Sequence, residues 1–168
     1  EALPSWQQKS LIGLRVVYLL SQFFLFKYGN NMGDRTYMSY FINHVHIRSE
    51  NPRVSAEWYE KFFDAKILSE REVMPGTITV SMDAGGSARL NISSQPDGSS
   101  SKTTPAALNR LGLEHFGFQT DDIQSDIENF RKSGVPIVLN ITEIQGGTKL
   151  AYIEGPDKVL IELVQPAN

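Results

Sequence analysis

An internal repeat constrains this chain more than any other feature of its sequence. When the sequence is compared with itself at an offset of 71 positions, residues 42–66 align with residues 113–137 without a gap. His44 then aligns with His115, and the same offset aligns Asn91 with Glu162. Identical residues are few, but both stretches show the same order of apolar and polar positions. We therefore expect two copies of one structural unit.

Each copy shows the pattern of a strand, a helix and three further strands. Apolar and polar residues alternate in the first segment of each copy, which is typical of a half-buried strand, and helical periodicity follows. The predicted fold is α+β, with two βαβββ modules that form a curved mixed sheet around a cleft. The predicted elements are 41–48, 52–63, 66–73, 77–83 and 87–94 in a module of about 41–94, and 112–119, 122–133, 136–143, 148–154 and 158–165 in a module of about 112–165.

The first forty residues do not share this pattern. Residues 11–26 form the most apolar run, but this run is short for a membrane span and contains Arg15. We expect residues 1–40 to be a helical N-terminal extension of a domain at 41–168, with a targeting remnant as the alternative. No membrane span is predicted, and we expect a cytoplasmic protein, with an exported form left open by the apolar run.

Composition excludes several classes of function. The chain has 16 Lys and Arg residues against 19 Asp and Glu residues, a net charge of −3, and no basic cluster of the kind that nucleic-acid phosphates require. It has no cysteine, which excludes thiolate nucleophiles, iron–sulfur clusters and cysteine-ligated zinc. We expect a small-molecule substrate and no nucleic-acid partner.

Side chains that bind metal ions recur at equivalent places in the two copies. His44 and His115 lie on the first strands, and Glu162 lies in the apolar run 159–164 of the last strand. A buried carboxylate is costly unless it is paired or bound to a metal. Two imidazoles and one carboxylate suit iron, manganese, nickel, cobalt or zinc. The residues alone leave open whether the histidines are ligands or hydrogen-bonded core residues.

Neighbouring polar residues extend this candidate site. His46 lies two residues after His44 and is expected on the same face of the strand, as a substrate contact, a proton carrier or a hydrogen-bonded interior histidine. The Asn91 amide is able to bind a substrate oxygen but not to act as a base. Arg48 and Arg89 follow the same alternation, so each is either a contact for an anionic substrate or a surface arginine.

Three segments resemble the glyoxalase, or vicinal-oxygen-chelate, superfamily over residues 41–168. INHVHIRS followed by AEWYEKFF resembles the opening strand and helix of the family, LEHFGFQTDDI resembles the opening of its second half, and GPDKVLIELVQ resembles its closing strand. The resemblance implies a divalent metal ion bound by His44, His115 and Glu162. It also implies a homodimer in which both subunits contribute ligands.

The resemblance leaves the reaction open. It implies a lyase or isomerase related to lactoylglutathione lyase, in which nickel, zinc, manganese, cobalt or iron chelates vicinal oxygens of the substrate and a thiol such as glutathione is an optional cofactor. Glu162 or His46 is then the proton carrier, but Asn91 replaces a carboxylate of glyoxalase I relatives. Tyr152, ten positions before Glu162, is an expected catalytic residue and matches fosfomycin-type thiol transferases and iron(II) extradiol dioxygenases. Those two activities and a non-catalytic binding module of the same fold are the alternatives.

Overall fold

Two four-stranded mixed sheets, each with one helix packed on it, form the fold. The structure is a computed structural model, and it describes residues 40–86, 88–99 and 101–167. The predicted α+β class and the two βαβββ modules are confirmed. The predicted extension at 1–40 lies outside the described residues apart from Tyr40, so it stays a prediction. Neither helix in the described part of the chain is long and apolar enough to cross a membrane.

Both modules have the same strand order. The first module comprises β1 (His44–Arg48), α1 (Pro52–Phe63), β2 (Lys66–Met74), β3 (Thr77–Asp83) and β4 (Arg89–Ser93). The second comprises β5 (Phe116–Gln119), α2 (Ile123–Lys132), β6 (Ile137–Glu143), β7 (Lys149–Glu154), a 3₁₀ turn (Pro156–Lys158) and β8 (Leu160–Gln165). The sheets run β1-β4-β3-β2 and β5-β8-β7-β6, with the first pair in each parallel and the others antiparallel.

The strand register confirms the repeat. His46 pairs with Asn91 in the first sheet, and the positions 71 residues later, Gly117 and Glu162, pair in the second. The helix starts also correspond. Asn51 and Asp122 cap α1 and α2, and each side chain accepts a hydrogen bond from a backbone N–H in the first turn. The two modules are therefore built by the same local interactions.

One apolar core joins the two modules. The helix-facing side of each sheet contributes buried residues such as Ile92 and Ile161, and both helices pack against this cluster. The Phe63 ring on α1 stacks on Phe118 of β5 with their centroids 4.0 Å apart, and Phe62 stacks on Phe130 of α2 at 5.2 Å. Because strand side chains alternate between the two faces, the opposite face of each sheet is left for polar residues.

Candidate metal centre

The sheet faces opposite the helices carry all the residues predicted for the site. We call them the first face and the second face. The register defines the first face as His44, His46, Arg48, Lys66, Ser69, Arg71, Thr79, Ser81, Asp83, Arg89, Asn91 and Ser93. The second face comprises Gly117, Gln119, Leu150, Tyr152, Glu154, Leu160, Glu162 and Val164, with His115 just before β5.

Three predicted site residues meet on the second face. The His115 Nε2 atom lies 3.4 Å from Glu162 Oε2, and the Tyr152 hydroxyl donates a hydrogen bond of 2.7 Å to Glu162 Oε1. The His115 and Tyr152 rings meet edge to face, with centroids 5.0 Å apart. Burial and the neighbouring Glu162 carboxylate raise the pKa of Tyr152, so its hydroxyl stays protonated and acts as a donor.

A carboxylate that the sequence reasoning missed orients His115. Glu114 Oε2 lies 2.9 Å from His115 Nδ1, and this hydrogen bond is the main reason why the pKa of Glu114 is lowered. Because a carboxylate only accepts, Nδ1 carries the proton of this hydrogen bond, and Nε2 is the ring nitrogen that faces Glu162. In the first module, Asn43 Oδ1 lies 3.0 Å from His44 Nδ1 in the same arrangement. The alignment of Asn43 with Glu114 in the repeat was the available signal.

A glycine makes room for the Glu162 carboxylate. Gly117 pairs with Glu162, and a Cβ atom placed on Gly117 would lie 3.3 Å from Glu162 Oε2. In the first module the equivalent residue is His46, which faces the shorter side chain of Asn91. Sequence reasoning also missed Gly117, although its alignment with His46 was visible.

The first face contains a hydrogen-bonded row beside the histidines. Ser81 Oγ donates to Asn91 Oδ1 at 2.8 Å, at the place where Tyr152 contacts Glu162 in the second module. His46 Nε2 lies 2.9 Å from the hydroxyl of Ser93, which is buried. Burial, with smaller contributions from Arg48 and His44, lowers the pKa of His46, so its imidazole is neutral at pH 7.

A cavity of about 430 Å³ lies where the two modules adjoin. His46 and Arg48 line it from the first module, and Glu114 and His115 line it from the second. The cavity therefore places a neutral imidazole and a cation in the same space as the His115 side chain.

A family model decides the classification. The model described as "Glyoxalase/Bleomycin resistance protein/Dioxygenase superfamily" matches residues 41–163. The chain belongs to this superfamily. The resemblance expected from the three sequence segments is thereby confirmed.

Solved structures show the same superfamily fold. A glyoxalase family protein from Bacillus cereus is 17% identical with a TM-score of 0.67, covering 81% of this chain and 100% of its own. One from Enterococcus faecalis is 23% identical with a TM-score of 0.59, covering 75% and 98%. The trypanothione-dependent glyoxalase I of Leishmania major is 23% identical with a TM-score of 0.58, covering 76% and 87%. No curated protein matches the chain significantly.

The spacing of two side-chain atoms on the second face is compatible with one shared metal ion. Two ligands about 2.1 Å from one ion, at angles between octahedral and tetrahedral, lie about 3.0–3.4 Å apart. The His115 Nε2 to Glu162 Oε2 distance of 3.4 Å falls at the end of that range. His44 belongs to the other sheet and does not line the cavity. Within the described ranges, no three His, Asp or Glu side chains form a group that could hold a metal ion.

Proposed function

We propose that this protein is a metal-dependent lyase or isomerase that acts on a small molecule with neighbouring oxygen atoms. The observation that carries the proposal is the His115–Glu162 pair. His115 Nε2 and Glu162 Oε2 lie 3.4 Å apart and are the two proposed ligand atoms. The other ring nitrogen of His115 contacts Glu114, and the other carboxylate oxygen of Glu162 accepts a hydrogen bond from Tyr152. This arrangement of ligands with oriented outer partners is characteristic of metal sites.

The third ligand of the proposed site is His44 from a second copy of the chain. His44 shares the arrangement of His115, since its Nδ1 atom contacts the preceding side chain and its Nε2 atom makes no hydrogen bond with any described residue. It is exposed on the first face, whereas the other two ligands lie on the second face. A homodimer that brings the first face of one chain against the second face of its partner would complete the set.

Each side chain of the site has a separate part in the proposed chemistry. A divalent ion such as nickel, zinc, manganese, cobalt or iron supplies Lewis acidity, which stabilises negative charge on a substrate oxygen. Glu162 Oε2 or the neutral His46 imidazole accepts the substrate proton and returns it. Tyr152 donates a hydrogen bond to Glu162 Oε1. The substrate proton and the metal ion would therefore compete for the other carboxylate oxygen, Oε2. A thiol such as glutathione is the candidate co-substrate.

Metal content tests the proposal. The metal content of purified wild type and of the His115→Ala variant is measured by plasma mass spectrometry after reconstitution with transition-metal ions. We expect close to one transition-metal ion per chain in the wild type and a large loss in the variant. Nickel, cobalt or zinc supports isomerase chemistry, manganese directs the assay to thiol transfer, and iron directs it to oxygen uptake with a catechol. No metal in either protein would refute the enzyme proposal and leave a binding module.

Mixed dimers test whether the site is shared. His44→Ala and His115→Ala chains are mixed by unfolding and refolding together. If the two chains share each site, the mixed dimer has one site with both substitutions and one intact site. Metal binding then returns, although each parent dimer lacks it. If each site belonged to a single chain, every site in the mixture would carry one substitution and no binding would return.

A further inference from the structure

Three hydrogen-bonded side chains cross the first face from β1 to β3. His46 Nε2 lies 2.9 Å from the Ser93 hydroxyl on β4, and Ser93 Oγ lies 2.7 Å from the Thr79 hydroxyl on β3. We call His46, Ser93 and Thr79 the hydroxyl row. Thr79 is 9% exposed and Ser93 is 1% exposed. Because a buried hydroxyl group is costly unless it is hydrogen-bonded, the directions of the two bonds are constrained.

The fold does not require the hydroxyl row, since the second module is built without it. The positions 71 residues later are occupied by Gly117, Leu150 and Val164. Leu150 pairs with Val164 across two neighbouring strands, as Thr79 pairs with Ser93 in the first sheet. Two apolar side chains therefore fit this place in the sheet, and the hydroxyl pair has a use specific to the first module.

Only one direction of the two bonds gives both hydroxyl hydrogens an acceptor. If His46 Nε2 carries the imidazole hydrogen, Nε2 donates to Ser93 and Ser93 donates to Thr79. The Thr79 hydrogen is then left without an acceptor among the described residues. If Nδ1 carries the imidazole hydrogen, Thr79 donates to Ser93, and Ser93 donates to the Nε2 lone pair. The second arrangement satisfies both buried hydroxyl groups.

We propose that Ser93 and Thr79 are positioning residues that hold His46 as its Nδ1–H tautomer, a neutral hydrogen-bond donor to the substrate. His46 lines the cavity, and its Nδ1 atom makes no hydrogen bond within the described part of the chain. Nδ1 then carries the hydrogen and Nε2 accepts from Ser93, so neither ring nitrogen has a free lone pair. A base and a metal ligand both need one, which leaves Glu162 to accept the substrate proton. Only the contact with substrate rests on the proposed function.

Nitrogen chemical shifts report the tautomer directly. The full chain, labelled with ¹⁵N on histidine, is kept free of metal by EDTA at about pH 8, where histidine is neutral. Long-range ¹H–¹⁵N spectra distinguish the protonated from the unprotonated ring nitrogen, and the His46→Asn variant identifies the His46 signals. We expect Nδ1 to resonate as the protonated nitrogen and Nε2 as the unprotonated one. The opposite assignment in the wild type would overturn the inference.

Variants show what sets the tautomer. Ser93→Ala and Thr79→Val each interrupt the hydroxyl row, so we expect a mixture of tautomers, seen as convergence of the two nitrogen shifts. Ser93→Thr keeps the hydroxyl and should restore the wild-type shifts. Ser94→Ala is the matched control, because the Ser94 hydroxyl contacts the Ile78 N–H and the Gly76 carbonyl. Unchanged shifts in both Ser93→Ala and Thr79→Val, or an equal change in Ser94→Ala, would contradict the role of the row.

Activity separates a hydrogen-bond donor from a base. An asparagine amide keeps an N–H donor near the place of His46 Nδ1 but does not take up a proton. The assay uses protein loaded with Ni²⁺ and the adduct of glutathione with a 2-oxoaldehyde, which offers neighbouring oxygen atoms. We expect His46→Asn to keep kcat within about tenfold of the wild type and His46→Ala to lose about 100-fold, the scale for one donor to a transition state.

The failures of the two proposals are distinguishable. Equal losses of kcat in His46→Asn and His46→Ala would refute the donor role, and an inactive wild type would refute that role together with the reaction. The nitrogen shifts need neither metal nor substrate. A confirmed Nδ1–H tautomer in a protein that binds no metal would therefore refute the proposed function and leave the assignment of Ser93 and Thr79 intact.

Discussion

Substitution of Gly117 should move stability and metal affinity in opposite directions. Gly117 does not have a positive φ, so the backbone accepts any residue. Gly→Ala at such a position stabilises a protein by about 0.4–1 kcal/mol through the unfolded state, and a β-branched residue adds strand propensity. Because the atom nearest to the new Cβ is the movable end of the Glu162 side chain, Gly117→Ala should raise the free energy of unfolding by about 0.4–1 kcal/mol.

The expected loss of metal affinity comes from displacement of the Glu162 carboxylate. An alanine Cβ would already lie 3.3 Å from Glu162 Oε2, and the Val γ-carbons extend one bond, about 1.5 Å, further. The carboxylate must then turn away from His115 Nε2. We expect metal affinity to fall slightly in Gly117→Ala and at least tenfold in Gly117→Val, the scale of effects for displaced or unsupported ligands.

Two measurements on the same samples check this expectation. Urea unfolding gives the stability, and isothermal titration with Ni²⁺ and Zn²⁺ gives the affinity. Gln119→Val is the control, because Gln119 lies on the same strand and face but pairs with Val164. It should gain strand propensity without loss of affinity. Gly117→Val with wild-type metal affinity would refute the assignment of Glu162 Oε2 as a ligand donor.

Three further predictions concern single side chains. Glu114→Ala should weaken metal binding about tenfold, whereas Glu114→Gln, which keeps an acceptor for His115 Nδ1 as Asn43 does for His44, should stay within threefold in the same titration. Tyr59→Phe should stabilise the protein by about 1 kcal/mol in urea unfolding, because the Tyr59 hydroxyl is buried and has no hydrogen-bond partner among the described residues; destabilisation would show that a partner exists. Tyr152→Phe should keep most of the metal affinity but lower kcat, since the hydroxyl that fixes Glu162 Oε1 is removed, and an unchanged kcat would contradict that role.

The helices and inner strands were predictable because their patterns are local. The helix predicted at 52–63 is α1 with the same bounds, and its start is set by the Asn51 cap. The first strand was predicted from residue 41 but begins at His44, because pairing with β4 begins at the contact of His44 with Arg89. The last strand begins at Leu160 rather than 158, because Asp157 and Lys158 belong to the 3₁₀ turn and adopt positive φ angles. Strand ends depend on distant partners, which periodicity does not reveal.

The residues of the candidate site that could be predicted are those singled out by equivalent positions in the repeat. The residues that were missed make contacts that depend on where a strand begins. His115 and Glu162 were named from their equivalent positions, and the structure brings them into contact. Glu114 was missed because neighbouring residues in a strand face opposite sides. Here β5 begins only at Phe116, so Glu114 turns towards the His115 ring. His44 lies on the other sheet, and in the proposed homodimer a second chain supplies it.

The paired hydrogen bonds Ser81–Asn91 and Tyr152–Glu162 have a consequence for exchanging the two halves of this fold. Each joins equivalent neighbouring strands, so both halves make the same cross-strand contact with different chemistry: an amide and a hydroxyl in the first half, an acid and a phenol in the second. Introducing Ser81→Tyr and Asn91→Glu together would give the first half the acidic pair of the second.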